Sequence, residues 1–284
     1  MKPDGEISEN GVENPVRAVV PEHGLHVLHL FFHVDHTQWA LMGDEEKREM
    51  KTSFTRLVQE IRSHEKTQLM LFSMLTPKAD LGLMLLTPDL QDANAFEKRL
   101  ARGLGDGVLN PCYSYLSLTE ESEYTTTPEQ YSRTLEETRG IKEGTPEHTA
   151  AMDEFAKHMA GYRQHRLYPV LPDWPVMCFY NMSKRRLAGD NWYSLDFEAR
   201  RKLMAGHAAT GRKYKGRILQ LITGSTGLDE AEWGVTLLAH NTTAIKEIVY
   251  EMRFDEVSAR FGEFGEFYIG LQLPLNHLFQ RLGL

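Results

Sequence analysis

Tyr180, Met182 and Lys184 occupy alternate positions in FYNMSKRR, and in a strand they would share one face. That face would carry a redox-capable phenol beside a cationic, anion-binding group. Arg185 and Arg186 continue the basic run, so a plainer reading is a strand ending in a solvated basic turn. His207 lies in RKLMAGHAATGR, three residues after Met204 and four after Leu203, on the apolar face of a helix. Such an imidazole is either a satisfied core residue or a ligand. Facing a cavity, a neutral imidazole is a common axial ligand of haem iron, provided a second hydrogen bond fixes its tautomer. Gln220 is flanked at period two by Ile218 and Ile222, so an amide projects from an apolar strand face. Unpaired, it would cost about 1–3 kcal/mol, so it must meet a partner, a water or a ligand. Arg166 precedes the strand bearing Tyr180. Arg253 and Ser258 fall near the end of the last long helix. Taken singly, each of these three is more readily structural than functional.

The elements that hold these residues follow from hydrophobic spacing. Gly24 to Val34 is a strand candidate, and a helix follows from about Asp44 with Met50, Phe54, Leu57, Val58 and Ile61 at helical intervals. TQLMLFSML and DLGLMLLT are strands, Pro88 to Arg102 is helical with proline at its start, and VLNPCYSYLSL is a strand. The order repeats in the second half. Val176–Met182 is a strand, Ser194–Tyr214 a helix, Arg217–Thr223 and Glu232–Ala239 strands, Thr242–Phe254 a helix and Glu263–Leu271 a strand. Each half reads β-α-β-β-α-β, the ferredoxin-like pattern. The expected fold class is α+β. Two such sheets can cover each other within the chain as a dimeric α+β barrel. The expected organisation is a disordered leader over 1–20, an N-terminal ferredoxin-like domain over 21–119, a partly mobile linker with its own helix over 120–162, and a C-terminal domain over 163–284.

Composition narrows the function classes. With 32 Lys+Arg against 40 Asp+Glu, the net charge is −8, and such a chain is a poor binder of nucleic acid or anionic lipid. Two cysteines, Cys112 and Cys178, are too few for a disulfide framework or a cysteine-built zinc site. No apolar run approaches the roughly 18 residues of a membrane helix, and the polar beginning has no signal core. The expectation is a soluble cytoplasmic protein without a transmembrane segment, in which the sequons at Asn181 and Asn241 are chance matches. There is no P-loop, HExxH, EF-hand, nucleophile elbow or CxxCH motif. The GLGDG run at Gly103–Gly107 follows a helix and lacks dinucleotide-loop spacing.

YNMSKRR, NWYSL, LMAGHAATGRKYKGRILQLITGSTGLDEAEWGVTLLAH and IVYEMRFDEVSARFGEFGEFYIG together resemble the coproheme decarboxylases of the chlorite dismutase superfamily. The resemblance is dense over 162–273. In the first half it rests on element order and the opening LHLFFHVDHTQW. It implies two ferredoxin-like domains per subunit, a homopentamer, and non-covalent binding of iron coproporphyrin III (coproheme). Hydrogen peroxide would drive two oxidative decarboxylations to give haem b, with transient contact to coproporphyrin ferrochelatase. By resemblance His207 is the proximal iron ligand and Tyr180 the catalytic tyrosine. Arg166, Lys184 and Ser258 hold propionates, with Arg253 near their rim. Met182 is the pocket methionine and Gln220 the distal glutamine. Family members often have proline after the tyrosine, where this chain has Asn181.

Two other functions fit parts of this pattern. A chlorite dismutase or haem peroxidase would share the fold, but a dismutase carries arginine at the distal position, and neutral Gln220 lacks the charge that steers an anionic oxidant. A non-catalytic haem carrier would keep His207 but need no Tyr180 with its anion anchors.

Overall fold

Most strands of this chain are apolar on both faces, and the topology explains why. The computed structural model describes residues 17–284. In the first half come β1 (His26–Val34), the short α1 (His36–Leu41), α2 (Asp44–Ser63), β2 (Gln68–Met74), β3 (Leu81–Thr87), α3 (Leu90–Arg102) and β4 (Leu109–Thr119). Helices α4 (Pro128–Arg139) and α5 (Pro146–Leu167) connect to the second half. That half holds β5 (Val176–Lys184), a small hairpin of β6 (Arg186–Leu187) and β7 (Asp190–Asn191), α6 (Phe197–Arg212), β8 (Ile218–Gly224) and β9 (Trp233–Ala239). It ends with α7 (Thr242–Met252), α8 (Glu256–Phe261), β10 (Gly262–Phe264), β11 (Tyr268–Gln272) and α9 (Leu275–Arg281).

The strands run β2-β3-β1-β4 in the first half and β11-β5-β9-β8 in the second, with antiparallel neighbours throughout. The two sheets join edge to edge, β11 to β2 with Gly270 opposite Met74, and β4 to β8 with Leu118 opposite Gly224. Eight strands therefore close on themselves, which leaves no long unpaired edge, and β10 hydrogen-bonds to the end of β5. This is the expected α+β architecture of two ferredoxin-like halves making one barrel. Val27, Phe31, Phe72, Met84, Tyr115, Phe179, Leu221 and Leu238 fill its interior. Outside, Phe54, Val58, Ile61, Phe96 and Leu100 of α2 and α3 cover the first-half strands. Ala244, Ile245 and Ile248 of α7 pack with Val176, Cys178, Tyr180, Val235 and Leu237 on the second-half strands.

Several boundaries differ from the sequence expectation, each for a local reason. The connecting segment holds two helices rather than one. Thr127 and Thr145 cap them, each followed by a proline whose missing N–H costs nothing there, and Tyr131 stacks on Phe155 at 4.3 Å. Helix α5 runs past residue 162 to Leu167, so Arg166 lies in its last turn. Pro88 is not the first helical residue; Asp89 follows it and caps α3 through the Gln91 N–H. The helix expected to reach Phe254 stops at Met252, and Asp255 caps a new helix, α8, that carries Ser258. The strand expected over Glu263–Leu271 is split into β10 and β11. Residues 1–16 of the expected leader lie outside the described residues. Its last residues are tied down: the Val19 N–H donates to Asp89 Oδ1 at 2.9 Å, and the Leu90 N–H donates to the Val19 carbonyl at 2.9 Å.

Candidate functional site

Helix α6 is lightly packed, with Leu203 and Met204 only partly buried against Trp192, Val257 and Phe261. Asp196 caps it by accepting from the Ala199 N–H at 2.8 Å. Arg200, Leu203, Met204, His207 and Gly211 recur at the intervals of one helical stripe. Of these only Gly211 is buried; the others are half-covered. Gly211 is where α6 meets the barrel. The Gln220 Nε2 donates to its carbonyl at 3.2 Å, and a Cβ there would stand 3.2 Å from that nitrogen and 3.3 Å from the Met252 methyl. The amide predicted to need a partner has found one on its donor side.

His207 Nδ1 lies 3.0 Å from Asp255 Oδ2. The same carboxylate accepts from the Ser258 amide at 3.0 Å and the Ser258 hydroxyl at 3.1 Å. Burial pushes the Asp255 carboxyl up, but the hydrogen bonds from His207 and Ser258 outweigh it and hold the group below the usual carboxylate range. An ionised Asp255 makes Nδ1 the donor, which leaves Nε2, with its lone pair, as the nitrogen available to a metal. This is the second hydrogen bond that a ligand histidine requires. Sequence reading missed Asp255, although Asp at 255 with Ser at 258 is a helix-start signature that points to it.

Tyr180, Met182 and Lys184 do share the outer face of β5. Tyr180 is buried, with its ring 4.5 Å from Phe267 and 5.8 Å from Phe264. Burial, and then the nearby Cys178 thiol, push the phenol well above the ordinary tyrosine value, against the pull of Arg253. The Arg253 guanidinium lies 4.7 Å over the Phe264 ring, which puts it on the same side of the barrel. Lys184 is 7% exposed, so it is no part of a solvated turn; Arg186, exposed and paired with the buried Glu232, is. The Lys184 ammonium lies 4.8 Å from the Trp192 ring. Burial lowers its pKa to about 8, with Asp255 and Glu232 pulling the other way. Glu232 also accepts from the Lys184 N–H at 2.7 Å and so pins the end of β5.

Met182 stands opposite Trp233 in the β5–β9 register. The Trp233 indole donates to Glu120 Oε1 at 3.2 Å, and Arg166 is among the charges acting on Glu120. Arg166, in the last turn of α5, has its Nε buried with no partner among the described residues. Gln220 is opposite Leu237, which is opposite Cys178. With strands about 4.8 Å apart, Gln220 and the β5 row stand roughly 10 Å apart across the sheet. Asn181 points elsewhere: its side-chain nitrogen donates to Tyr113 Oη and Glu230 Oε1, each at 2.8 Å. A separate cavity of about 750 Å³ between α3 and the outer face of β1 and β4, lined by Leu28, Phe32, Leu90, Asn94 and Leu116, contains none of the predicted site residues.

Residues 47–273 match the chlorite dismutase family. The chain belongs to that family. A solved structure described as a novel heme-binding protein from Thermus thermophilus is 35% identical, with TM-score 0.76, over 94% of this chain and all of that one. A variant of the chlorite dismutase of Candidatus Nitrospira defluvii shares the fold at 18% identity and TM-score 0.69, over 93% of this chain and 98% of that one. The same enzyme in complex with imidazole aligns at 17% identity and TM-score 0.67, over 93% and 97%. Among the described residues of this family member, no helix is long and apolar enough to cross a membrane.

Proposed function

We propose that this protein binds iron coproporphyrin III between α6 and the outer face of β5, β9 and β8, and decarboxylates two of its propionates with hydrogen peroxide to give haem b. The half-covered stripe of α6 carries this reading. Helix α6 buries only Gly211, and Leu203 and Met204, packed against Trp192, Val257 and Phe261, stay partly open like His207, which leaves room for a flat apolar ligand to complete the packing. The donor set also suits an iron porphyrin with carboxylate side chains. His207 offers Nε2, backed by Asp255. Arg166 brings a buried Nε without a partner among the described residues, and Lys184 a buried ammonium.

In this reading His207 holds the iron, and Arg166, Lys184, Ser258 and Arg253 receive carboxylates through charge-assisted or hydroxyl hydrogen bonds. Met182 lines the pocket, and Gln220 faces the oxidant. The bound iron porphyrin supplies the oxidising power that peroxide loads onto it. Tyr180 keeps its proton, because burial disfavours the phenolate, and a protonated phenol can give up an electron and a proton together. Its phenoxyl radical then takes a hydrogen atom from a propionate side chain. For each propionate, –CH2CH2COO⁻, H2O2 and one proton yield –CH=CH2, CO2 and two waters. The same reading includes a cytoplasmic homopentamer that receives its substrate from coproporphyrin ferrochelatase.

The test loads the protein with iron coproporphyrin III, titrates peroxide and follows the porphyrin by mass. Two successive losses of CO2 plus two hydrogens' worth of oxidation, ending at haem b, are expected in the wild type. Tyr180→Phe should bind the porphyrin and release no product. Product formation by the Phe variant would remove Tyr180 from the role. A wild type that binds haem and only bleaches with peroxide would favour a carrier, a second reading that the 35%-identical heme-binding neighbour supports.

A further inference from the structure

Arg200 is the one charged member of the α6 stripe, two turns before His207 and displaced from it by about 20° around the helix. Its side chain is 20% exposed, so the guanidinium is largely desolvated. A desolvated guanidinium needs close partners for its five N–H donors. Arg200 has poor ones. Nη1 donates to the Leu195 carbonyl at 3.4 Å, Nη2 lies 3.7 Å from Glu123 Oε2, and Nε is buried with no partner among the described residues. Well-paired arginines in this chain differ plainly: Arg99 grips Glu60 with two bonds of 2.6 Å. Arg166 is the other described arginine with an orphaned buried Nε.

Around Arg200 the surroundings are arranged for an anion. Tyr124 stacks on Phe197 at 5.9 Å and meets Trp192 edge-on at 6.5 Å, and the Lys184 ammonium lies 4.8 Å from the Trp192 ring. The Tyr124 phenol sits against both Glu123 and Arg200. Two cations thus flank one aromatic corner at the N-terminal end of the cleft. Glu123, on the chain that leaves β4, is the only carboxylate within 4.0 Å of the Arg200 guanidinium among the described residues, and at 3.7 Å it is a loose partner.

We propose that Arg200 is a further carboxylate-binding residue of the porphyrin site, and that Glu123 is the internal carboxylate it exchanges for a carboxylate of the ligand. The inference rests on the porphyrin reading above. It predicts that removing Arg200 weakens binding of the acid, and that removing the Glu123 charge strengthens it, because the competitor is gone.

The experiment titrates the full-length protein with iron coproporphyrin III and, separately, with the tetramethyl ester of the same iron porphyrin, following the porphyrin absorbance. Arg200→Gln should weaken the acid by about ten- to hundredfold and the ester by less than threefold. Arg200→Lys should recover part of the loss, and Glu123→Gln should tighten the acid alone. Thermal melts accompany each variant. Equal loss for acid and ester, or an unaltered acid affinity in Arg200→Gln, would make Arg200 structural and overturn the proposal. So would a Glu123→Gln protein no tighter than wild type. Failure of the porphyrin reading looks different: the wild type would bind neither compound.

Discussion

Replacing Asp255 with Asn separates the two things this carboxylate does. It caps α8 through the Ser258 amide at 3.0 Å, and it holds His207 Nδ1 at 3.0 Å. Asparagine caps a helix about as well as aspartate, so the fold should lose only a few tenths of a kcal/mol, whereas Asp255→Ala should lose roughly 1 kcal/mol more. The charge behind the imidazole is what Asn removes. Outer-shell partners of this kind are worth about 10- to 100-fold in metal affinity, or roughly 1.4–2.8 kcal/mol. A side effect must be subtracted. Asp255 is one of the carboxylates that raise the pKa of Lys184, so its loss also reduces the cationic charge near the carboxylates. Iron-free coproporphyrin III isolates that effect, because it feels Lys184 but makes no bond to His207. The assay is therefore a pair of titrations on each protein. The ratio of iron to iron-free affinity should fall about 10- to 100-fold in Asp255→Asn. An unchanged ratio would mean that His207 does not ligate iron, or that Asp255 does not support it.

Two further outcomes test other parts of the structure. His29 is fully buried in the barrel, with Nε2 at 2.8 Å from Thr236 Oγ1, and burial lowers its pKa to about 3. The folded value lies below the unfolded one near 6.5, so its contribution is intact above pH 6.5. It is lost as pH falls toward 3, at up to roughly 1.4 kcal/mol per pH unit. Urea unfolding of wild type and His29→Phe across that range should show the variant with the shallower acid loss; parallel curves would exclude His29 as a source. Gln220→Arg replaces a neutral amide by a cation on the α6 side of β8. The wild type should release negligible oxygen from chlorite at an oxygen electrode and the variant measurably more. Sustained oxygen release by the wild type would overturn the decarboxylase reading.

Much of the barrel was legible because strand alternation is strict. Tyr180, Met182 and Lys184 share a face, as period two requires, and Gln220 falls on the outer face with Ile218 and Ile222 for the same reason. Helix ends were less legible. The apolar pattern of Thr242–Phe254 carries no mark of where the helix stops, and only the cap at Asp255 reveals the break that brings Ser258 to His207. Helix α5 was hidden because almost nothing on it is buried. His148 and Leu167 are its only buried residues, so it lacks the stripe that sequence periodicity detects, and the sequence places Arg166 only as preceding the strand that bears Tyr180.

Helix α6 is the opposite case, and the more informative one. Its Leu203, Met204 and His207 fall on one side, and Leu203 and Met204 pack against an apolar surface of Trp192, Val257 and Phe261. Local pattern and tertiary packing agree along most of this chain, as they must in a sequence that specifies one fold. On α6 the agreement is incomplete: the protein alone leaves Leu203, Met204 and His207 half-covered. Conflicts of that kind concentrate where a fold serves something besides itself. Arg200, with its orphaned buried nitrogen, and the carboxylate-backed His207 lie on one side of α6, so the incomplete burial and the unmet polar group fit one occupant that is flat and apolar at its centre and anionic at its edge.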